Sequence, residues 1–295
     1  MDDILVSVCC CTYNHEPYIR DCLEGFVKQK TDFPVEYIIH DDASNDKTPR
    51  IVLEYAKAYP DKIVPILQGT NQYSQGVDPF SQIVLPRAKG KYIALCEGDD
   101  YWTDPLKLQK QVTFMEANPD YSMCFHGADV INQSNRTVLA KCETIEDREY
   151  FPRDVFPEWI VPTASILFRK DIVLKYPIVH QEWAVAGDIV LILRCMHSGR
   201  VWGMANHMSI YRMHDGSFMA SPQDDVFRSR MCKHYDMLIK NFPKIDKDYC
   251  QRYISAFHYT HFRKDRMLLG RFRHLCLSLL YSPRYVLDKF LRKKP

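Results

Sequence analysis

Glycine is scarce in this chain, 11 in 295 residues, and none lies between Cys9 and Pro17, where the first strand-like run gives way to a loop. That loop has no flexible backbone with which to cradle a triphosphate. The sequence also lacks a Gly-X-Gly-X-X-Gly run, which removes a dinucleotide-binding dehydrogenase. No window approaches the roughly 18 apolar residues of a membrane span. Charge of one sign is missing too: Lys+Arg 39 against Asp+Glu 37 leaves +2, without the excess of a dedicated nucleic-acid binder. With Gly 11 and Pro 17 the chain is neither collagen-like nor of low complexity, and no internal repeat is visible. The start, Met1-Asp2-Asp3, lacks the basic residues of a secretory signal.

What is abundant is ordinary globular material, 46% hydrophobic and 26% charged, enough for a core that shuts water out of a reaction centre. The 11 cysteines cannot all pair, and Cys9, Cys10 and Cys11 alternate faces on a strand, which defeats both a disulfide and a closed zinc site. Reduced thiols used as small apolar fillers fit a cytoplasmic protein, soluble or peripheral on the inner face of a membrane.

Apolar runs of strand length at Ile4 to Cys11, Val35 to His40, Ile63 to Leu67 and Tyr92 to Cys96 alternate with helical spacing after Pro17 and after Thr48-Pro49. Alternation of this kind predicts an α/β fold, a mainly parallel sheet with helices on both faces and ligands beyond the carboxyl ends of the strands. A helix is expected from Asp104-Pro105 and a strand over Tyr121 to Phe125, followed by loops to about Phe151. Ala164 to Phe168 is strand-like, Asp188 to His197 helical, and Val201 to Met213 suits two short strands. Beyond about Ser221 the spacing is helical throughout, so the expected division is 1–220, an α/β domain, and 221–295, a helical extension.

Two acidic groups end strands. Glu97-Gly98-Asp99-Asp100 gathers carboxylates on a tight turn, hard oxygen ligands for Mg²⁺ or Mn²⁺, or else a solvated turn before the helix at Asp104. Asp41-Asp42 is the second, and parallel strands bring both pairs to one edge. Asp41 is suited to accept from a nucleobase N–H or a ribose hydroxyl, with Thr12 and Tyr13 framing the base, while Asp42 and Ser44 also suit helix caps.

Together Val6-Ser-Val-Cys-Cys-Cys-Thr-Tyr-Asn14, His40-Asp-Asp-Ala-Ser-Asn-Asp46 and Tyr92-Ile-Ala-Leu-Cys-Glu-Gly-Asp-Asp100 resemble the start of glycosyltransferase family 2, the inverting GT-A enzymes. The resemblance implies a GT-A fold with a nucleotide-sugar donor, usually a UDP-sugar, whose diphosphate rests on Mn²⁺ or Mg²⁺ held by an Asp-X-Asp-like turn. Asp99 and Asp100 take that role here, with Glu97 where the family often has the first Asp. The donor-binding candidates are Thr12, Tyr13, Asn14, Glu16, Asp41, Ser44 and Asp99. Val185-Ala-Gly-Asp-Ile-Val-Leu-Ile-Leu-Arg194 looks like the family's acidic helix start, which makes Asp188 the implied catalytic base, with Gly187 where the family commonly has another acid. Tyr211-Arg-Met-His-Asp-Gly-Ser217 resembles a segment whose His reaches the metal or diphosphate, here His214.

Trp102 and Trp183 are the candidates for stacking on an acceptor sugar, a glycan or a lipid-linked one, and a lid is expected near Asp215 to Gln223. Arg87 and Lys91 are candidates for approaching phosphates. Residues 271–295 hold seven Lys or Arg against Asp288, interleaved with Phe, Leu, Tyr and Val, and suit either an anionic membrane surface or packing on the catalytic domain; nucleic acid is not expected as a partner. A sugar nucleotidyltransferase and a non-catalytic nucleotide- or glycan-binding relative of the fold are the alternatives. The glycine-free first loop opposes the former, and the retained acids oppose the latter.

Overall fold

A computed structural model describes residues 3–133, 137–141, 145–156, 160–176, 184–214, 224–264 and 267–291. In chain order the elements are β1 Val6–Thr12, α1 Ile19–Val27, β2 Val35–Asp41, α2 Thr48–Ala58, β3 Ile63–Leu67, β4 Tyr92–Leu95, β5 Tyr101–Trp102, α3 Lys107–Ala117, β6 Tyr121–Asn132, β7 Val138–Lys141 and β8 Arg148–Tyr150. There follow α4 Pro152–Val155, β9 Leu167–Arg169, α5 Asp171–Lys175, α6 Gly187–Ser198, β10 Arg200–Met213, α7 Asp225–Asn241, α8 Lys247–Lys264, α9 Leu268–Tyr281 and α10 Pro283–Leu291.

The strands form one sheet in the order β3-β2-β1-β4-β9-β6-β10-β5, with β7 on β6 and β8 on β10. β3, β2, β1 and β4 run parallel, β9 is antiparallel to both β4 and β6, and β10 is parallel to β6. Because the chain direction reverses twice across β9, β10 points the same way as β1. The carboxyl ends of β1, β2, β4 and β10 therefore share one edge, where open α/β sheets hold ligands.

The sheet is covered on both sides because its strands are apolar on both faces. In β1, Val6, Val8 and Cys10 enter one core with α1 and Trp102, while Cys9 and Cys11 enter the other with Phe125, Phe168 and Leu191 of α6. The ten described cysteines are free. The expectation of loops from Phe125 to Phe151 is corrected: β6 continues to Asn132, and β7 and β8 follow. Its polar stretch is held by neighbours rather than by pattern, since His207 Nδ1 contacts Asp129 Oδ1 at 2.6 Å and β6 pairs with β10 along most of its length. The two short strands expected over Val201 to Met213 are a single 14-residue strand whose register shifts near Met204 and His207.

A third core joins the helical region to α6: Ile189, Val190 and Leu193 pack with Tyr235, Leu238, Cys250 and Ile254. His234 of α7 lies beside it, almost fully buried, and its Nδ1 accepts from Val185 N at 3.3 Å. Burial pushes this imidazole down to about 4 from 6.5. The unfolded chain takes up the proton first, so stability is full above about 6.5 and falls as pH drops towards 4, by about 3 kcal/mol once His234 is forced to ionise. Thermal unfolding followed across that interval is expected to show the loss, and His234→Asn, which keeps an acceptor for Val185 N, to reduce it, the remainder belonging to other buried imidazoles such as His126 and His258.

Candidate active site

The first wall of the site is two crossed turns at the ends of β1 and β2. Asn14 (φ 55) and Ala43 (φ 61) both adopt left-handed backbone conformations that side chains disfavour, and such strain persists only where the surroundings enforce it. Here they do: Ser44 Oγ accepts from Asn14 N at 2.8 Å, and Asn14 Oδ1 accepts from Asn45 N at 2.8 Å. Ser44 also donates to both oxygens of buried Asp41, from Oγ at 2.5 Å and from N at 3.1 Å, which fixes that carboxylate at the sheet edge beside Thr12. Tyr13 is 42% exposed at the rim.

Two expectations change here. Glu16 is occupied by Lys47, which donates from N at 3.1 Å and from Nζ at 2.7 Å, so it clasps the loop to the start of α2 and leaves the donor-binding set. Asp42 does not cap α2. Its oxygens accept from Gln72 N and Tyr73 N, while Asp46 accepts from Thr48 N at the start of α2.

The acidic turn follows β4. Gly98 is required there because a Cβ would stand 2.6 Å from Thr12 Oγ1 and 3.0 Å from His15 Nδ1. Gly98→Ala is therefore expected to push the turn off Thr12, raising the KM for donor at least tenfold while the circular dichroism spectrum is retained. Glu97, Asp99 and Asp100 each offer an oxygen within 4.8 Å of the others. Arg212, buried near the end of β10, holds this turn: its N donates to Asp100 Oδ1 at 2.9 Å and its guanidinium to the Asp99 carbonyl at 2.9 Å and to Asp21. His214 Nε2 lies 3.1 Å from Asp99 Oδ2, and His15 Nε2 lies 3.8 Å from the same oxygen.

Negative charge in the turn is only partly answered. Glu97 is exposed as a residue, yet desolvation of its carboxyl group and the Asp99 and Asp188 carboxylates push it up to about 8, and burial with Asp99 pushes Asp100 well above the carboxylate range. Asp99 alone is lowered, against the pull of burial, by the bond from His214 and the nearby His15. Among the described residues, Asp99 Oδ1, Asp100 Oδ2, Thr12 Oγ1 and His15 Nδ1 are buried without a hydrogen-bond partner. Buried polar atoms are ordinarily satisfied. An all-oxygen donor set with orphaned carboxylate oxygens, whose crowding drives two of the three acids towards their neutral forms, fits Mg²⁺ or Mn²⁺, whose charge would hold them ionised.

Asp188 stands on the same side of the sheet edge as this turn, its carboxylate being among the charges that push Glu97 and Tyr211 up. It lies in the first turn of α6, its Oδ1 accepting from Ile189 N at 2.8 Å, where the helix dipole favours an anion. Asp41, Asp46, Asp99 and His214 in turn all act on His15, so the two acidic strand ends meet around it. Sequence reasoning missed His15. The available signal was its place in the loop that ends β1.

The other candidates fall elsewhere. Trp102 is corrected to a core residue: it is 3% exposed, packs on Phe26, donates from Nε1 to Ala164 O at 2.8 Å, and is covered by Lys107 Nζ at 4.0 Å from the ring. No face is left for a sugar. Arg87 donates to Ile83 O and Lys91 pairs with Glu116, and Lys91 precedes β4, at the end of that strand away from the acidic turn. Trp183 and the expected lid over Asp215 to Gln223 lie outside the described residues.

Residues 7–176, more than half of the chain, match the family model described as Glycosyl transferase family 2. The chain belongs to that family. An uncharacterized protein of Mycobacterium tuberculosis is 40% identical over 223 residues, 68% of this chain and 61% of that protein. The match thus spans about three fifths of that relative's length. The Escherichia coli UDP-Glc:alpha-D-GlcNAc-diphosphoundecaprenol beta-1,3-glucosyltransferase WfgD is 33% identical over 141 residues, 48% of this chain and 51% of that one. Among solved structures, Staphylococcus aureus TarS 1-349 in complex with UDP-GlcNAc superposes with a TM-score of 0.62 at 18% identity, over 94% of this chain and 80% of that chain. The mannosyltransferase of Pyrobaculum calidifontis in complex with GDP-Man and Mn²⁺ gives 0.56 at 14%, over 98% and 88%. At those identities the structures establish the fold, and this family-2 chain has the GT-A architecture with a helical C-terminal region.

Proposed function

We propose that this chain moves a sugar from a nucleoside diphosphate donor, a UDP-sugar, to a hydroxyl of a glycan or lipid-linked acceptor, with inversion at the anomeric carbon. The observation that carries the reading is the pair of carboxylate oxygens on Asp99 and Asp100 that find no hydrogen-bond partner among the described residues, at the carboxyl edge of the sheet. Support for a UDP-sugar and a lipid-linked acceptor comes from the relatives: WfgD is named for both, and TarS binds UDP-GlcNAc.

Asp41 accepts from the base or ribose, and Tyr13 lies along the nucleobase at the open rim. Thr12 Oγ1 and His15 Nδ1, both without a hydrogen-bond partner among the described residues, supply polar contacts to the donor. Asp99 and Asp100, with Glu97 and His214 beside them, would hold Mn²⁺ or Mg²⁺, which would supply Lewis-acid neutralisation of the charge on the departing diphosphate. Asp188 removes the proton of the acceptor hydroxyl as its oxygen attacks the anomeric carbon. The bond from that carbon to the diphosphate oxygen breaks on the opposite face, so one base suffices and the configuration inverts. Arg212 and Ser44 are positioning residues that hold Asp100 and Asp41 in place.

The test is release of nucleoside diphosphate from a panel of nucleotide sugars, with Mn²⁺ and with chelator. Turnover that requires the cation and one class of donor supports the reading. A chain that binds nucleotide sugars without turning any over is the non-catalytic alternative.

A further inference from the structure

α9 is built inside out. At about 100° per residue, Leu268, Leu269, Leu275, Phe272, Cys276, Leu279 and Leu280 fall on one arc of roughly 140°, with Arg271 beyond one edge and Arg273 beyond the other. The opposite side carries Leu277 among polar groups: His274 meets His258, Ser278 exchanges hydrogen bonds with Ser255, and Tyr281 Oη donates to Asp236. It is this side that packs on the protein. The apolar arc faces solvent, with Leu268 82%, Leu269 80%, Phe272 64% and Leu280 76% exposed. α10 adds exposed Leu287 and Leu291, one turn apart, with Arg284 and Lys289 alongside. Burial ordinarily runs the other way, and an apolar face of this size marks a surface that something covers.

We infer that α9 and α10 dock on an anionic lipid surface, the apolar arc entering the boundary between headgroups and acyl chains while the flanking arginines meet lipid phosphates. Charge complementarity selects this occupant. From Arg263 to Pro295 the sequence holds ten Lys or Arg against two acids, Asp265 and Asp288. A second copy placed symmetrically on the same face brings arginine rows against arginine rows, with no acid on the α9 arc to answer them. Spanning is not an option. Fourteen residues of helix reach about 21 Å, short of a hydrocarbon core of about 30 Å, and no described helix is long and apolar enough to cross a membrane. An apolar stripe bordered by basic residues is the composition of a helix that lies in the interface plane. The inference rests on the glycosyltransferase reading only for its purpose, bringing the cleft to a lipid-linked acceptor; the binding itself stands on the helix geometry.

The experiment is co-sedimentation of the full chain with vesicles of phosphatidylcholine alone and with vesicles that also contain phosphatidylglycerol, at low and high salt. The expected result is pelleting with phosphatidylglycerol that weakens with salt, and at least a tenfold loss of affinity in F272S/L280S and in R271Q/R273Q. Both pairs are solvent-facing, so the fold is kept and donor hydrolysis in free solution is unchanged. If the chain ignores phosphatidylglycerol vesicles, or instead forms a dimer that F272S/L280S dissociates, the lipid assignment is overturned, while unaltered donor hydrolysis leaves the active-site reading standing.

Discussion

Asp188→Asn is expected to lower the rate of sugar transfer about a thousandfold, within the range of general-base removal, while donor affinity stays within about twofold of the parent. The asymmetry follows from position. Asp188 is carried by α6, whereas the surfaces assigned to the donor lie at the ends of β1, β2 and β4 and on His214 after β10. Asn retains an oxygen for Ile189 N, so the helix start survives and only the proton acceptor is lost. Steady-state kinetics with varied donor, alongside direct nucleotide binding, separates the two effects. A variant that transfers sugar at the parent rate removes Asp188 from the mechanism.

The second large effect is expected at Asp99. It is the carboxylate on which His214 and His15 converge, and its Oδ1 is one of the two orphaned acidic oxygens of the turn. Asp99→Asn keeps the shape but forfeits a charge, so kcat/KM is expected to fall about a hundredfold or more, and stimulation by Mn²⁺ to shrink with it. Unlike Asp188→Asn, this change weakens donor binding as well. Comparing thermal stabilisation by UDP and Mn²⁺ in the two variants distinguishes them, because only a chain that still binds the pair is stabilised by it.

Much of this site is legible in the sequence because β1, β2 and β4 are short apolar runs cut off by polar clusters, and parallel strands deliver such clusters to one edge. Thr12, Asp41, Asp99 and Asp100 come together for that reason, and His214 joins them because β10 runs the same way and ends at the same edge. The failures have physical causes as well. Trp102 follows Asp100 by two residues, yet β5 turns it into the core against Phe26, so nearness in sequence to a reactive turn does not mean exposure. Glu16 reads as a ligand-facing acid until Lys47, 31 residues on, is brought against it. β6 and β10 defeat the period-two pattern because bulges shift their register and buried polar residues such as His126 and Ser209 interrupt the apolar alternation. The inverted orientation of α9 is likewise invisible to periodicity, which reports an apolar stripe but not the side to which it is turned.

The central claim is that the acids of three distant segments build one cation-dependent donor cleft. Calorimetric titration of UDP into the chain, with Mn²⁺ and with chelator, tests it most directly when the parent, Asp99→Asn and Asp188→Asn are run together. The account predicts binding that needs Mn²⁺ in the parent and in Asp188→Asn and is lost in Asp99→Asn. Equal affinity with chelator and with Mn²⁺, unaffected by Asp99→Asn, would contradict it.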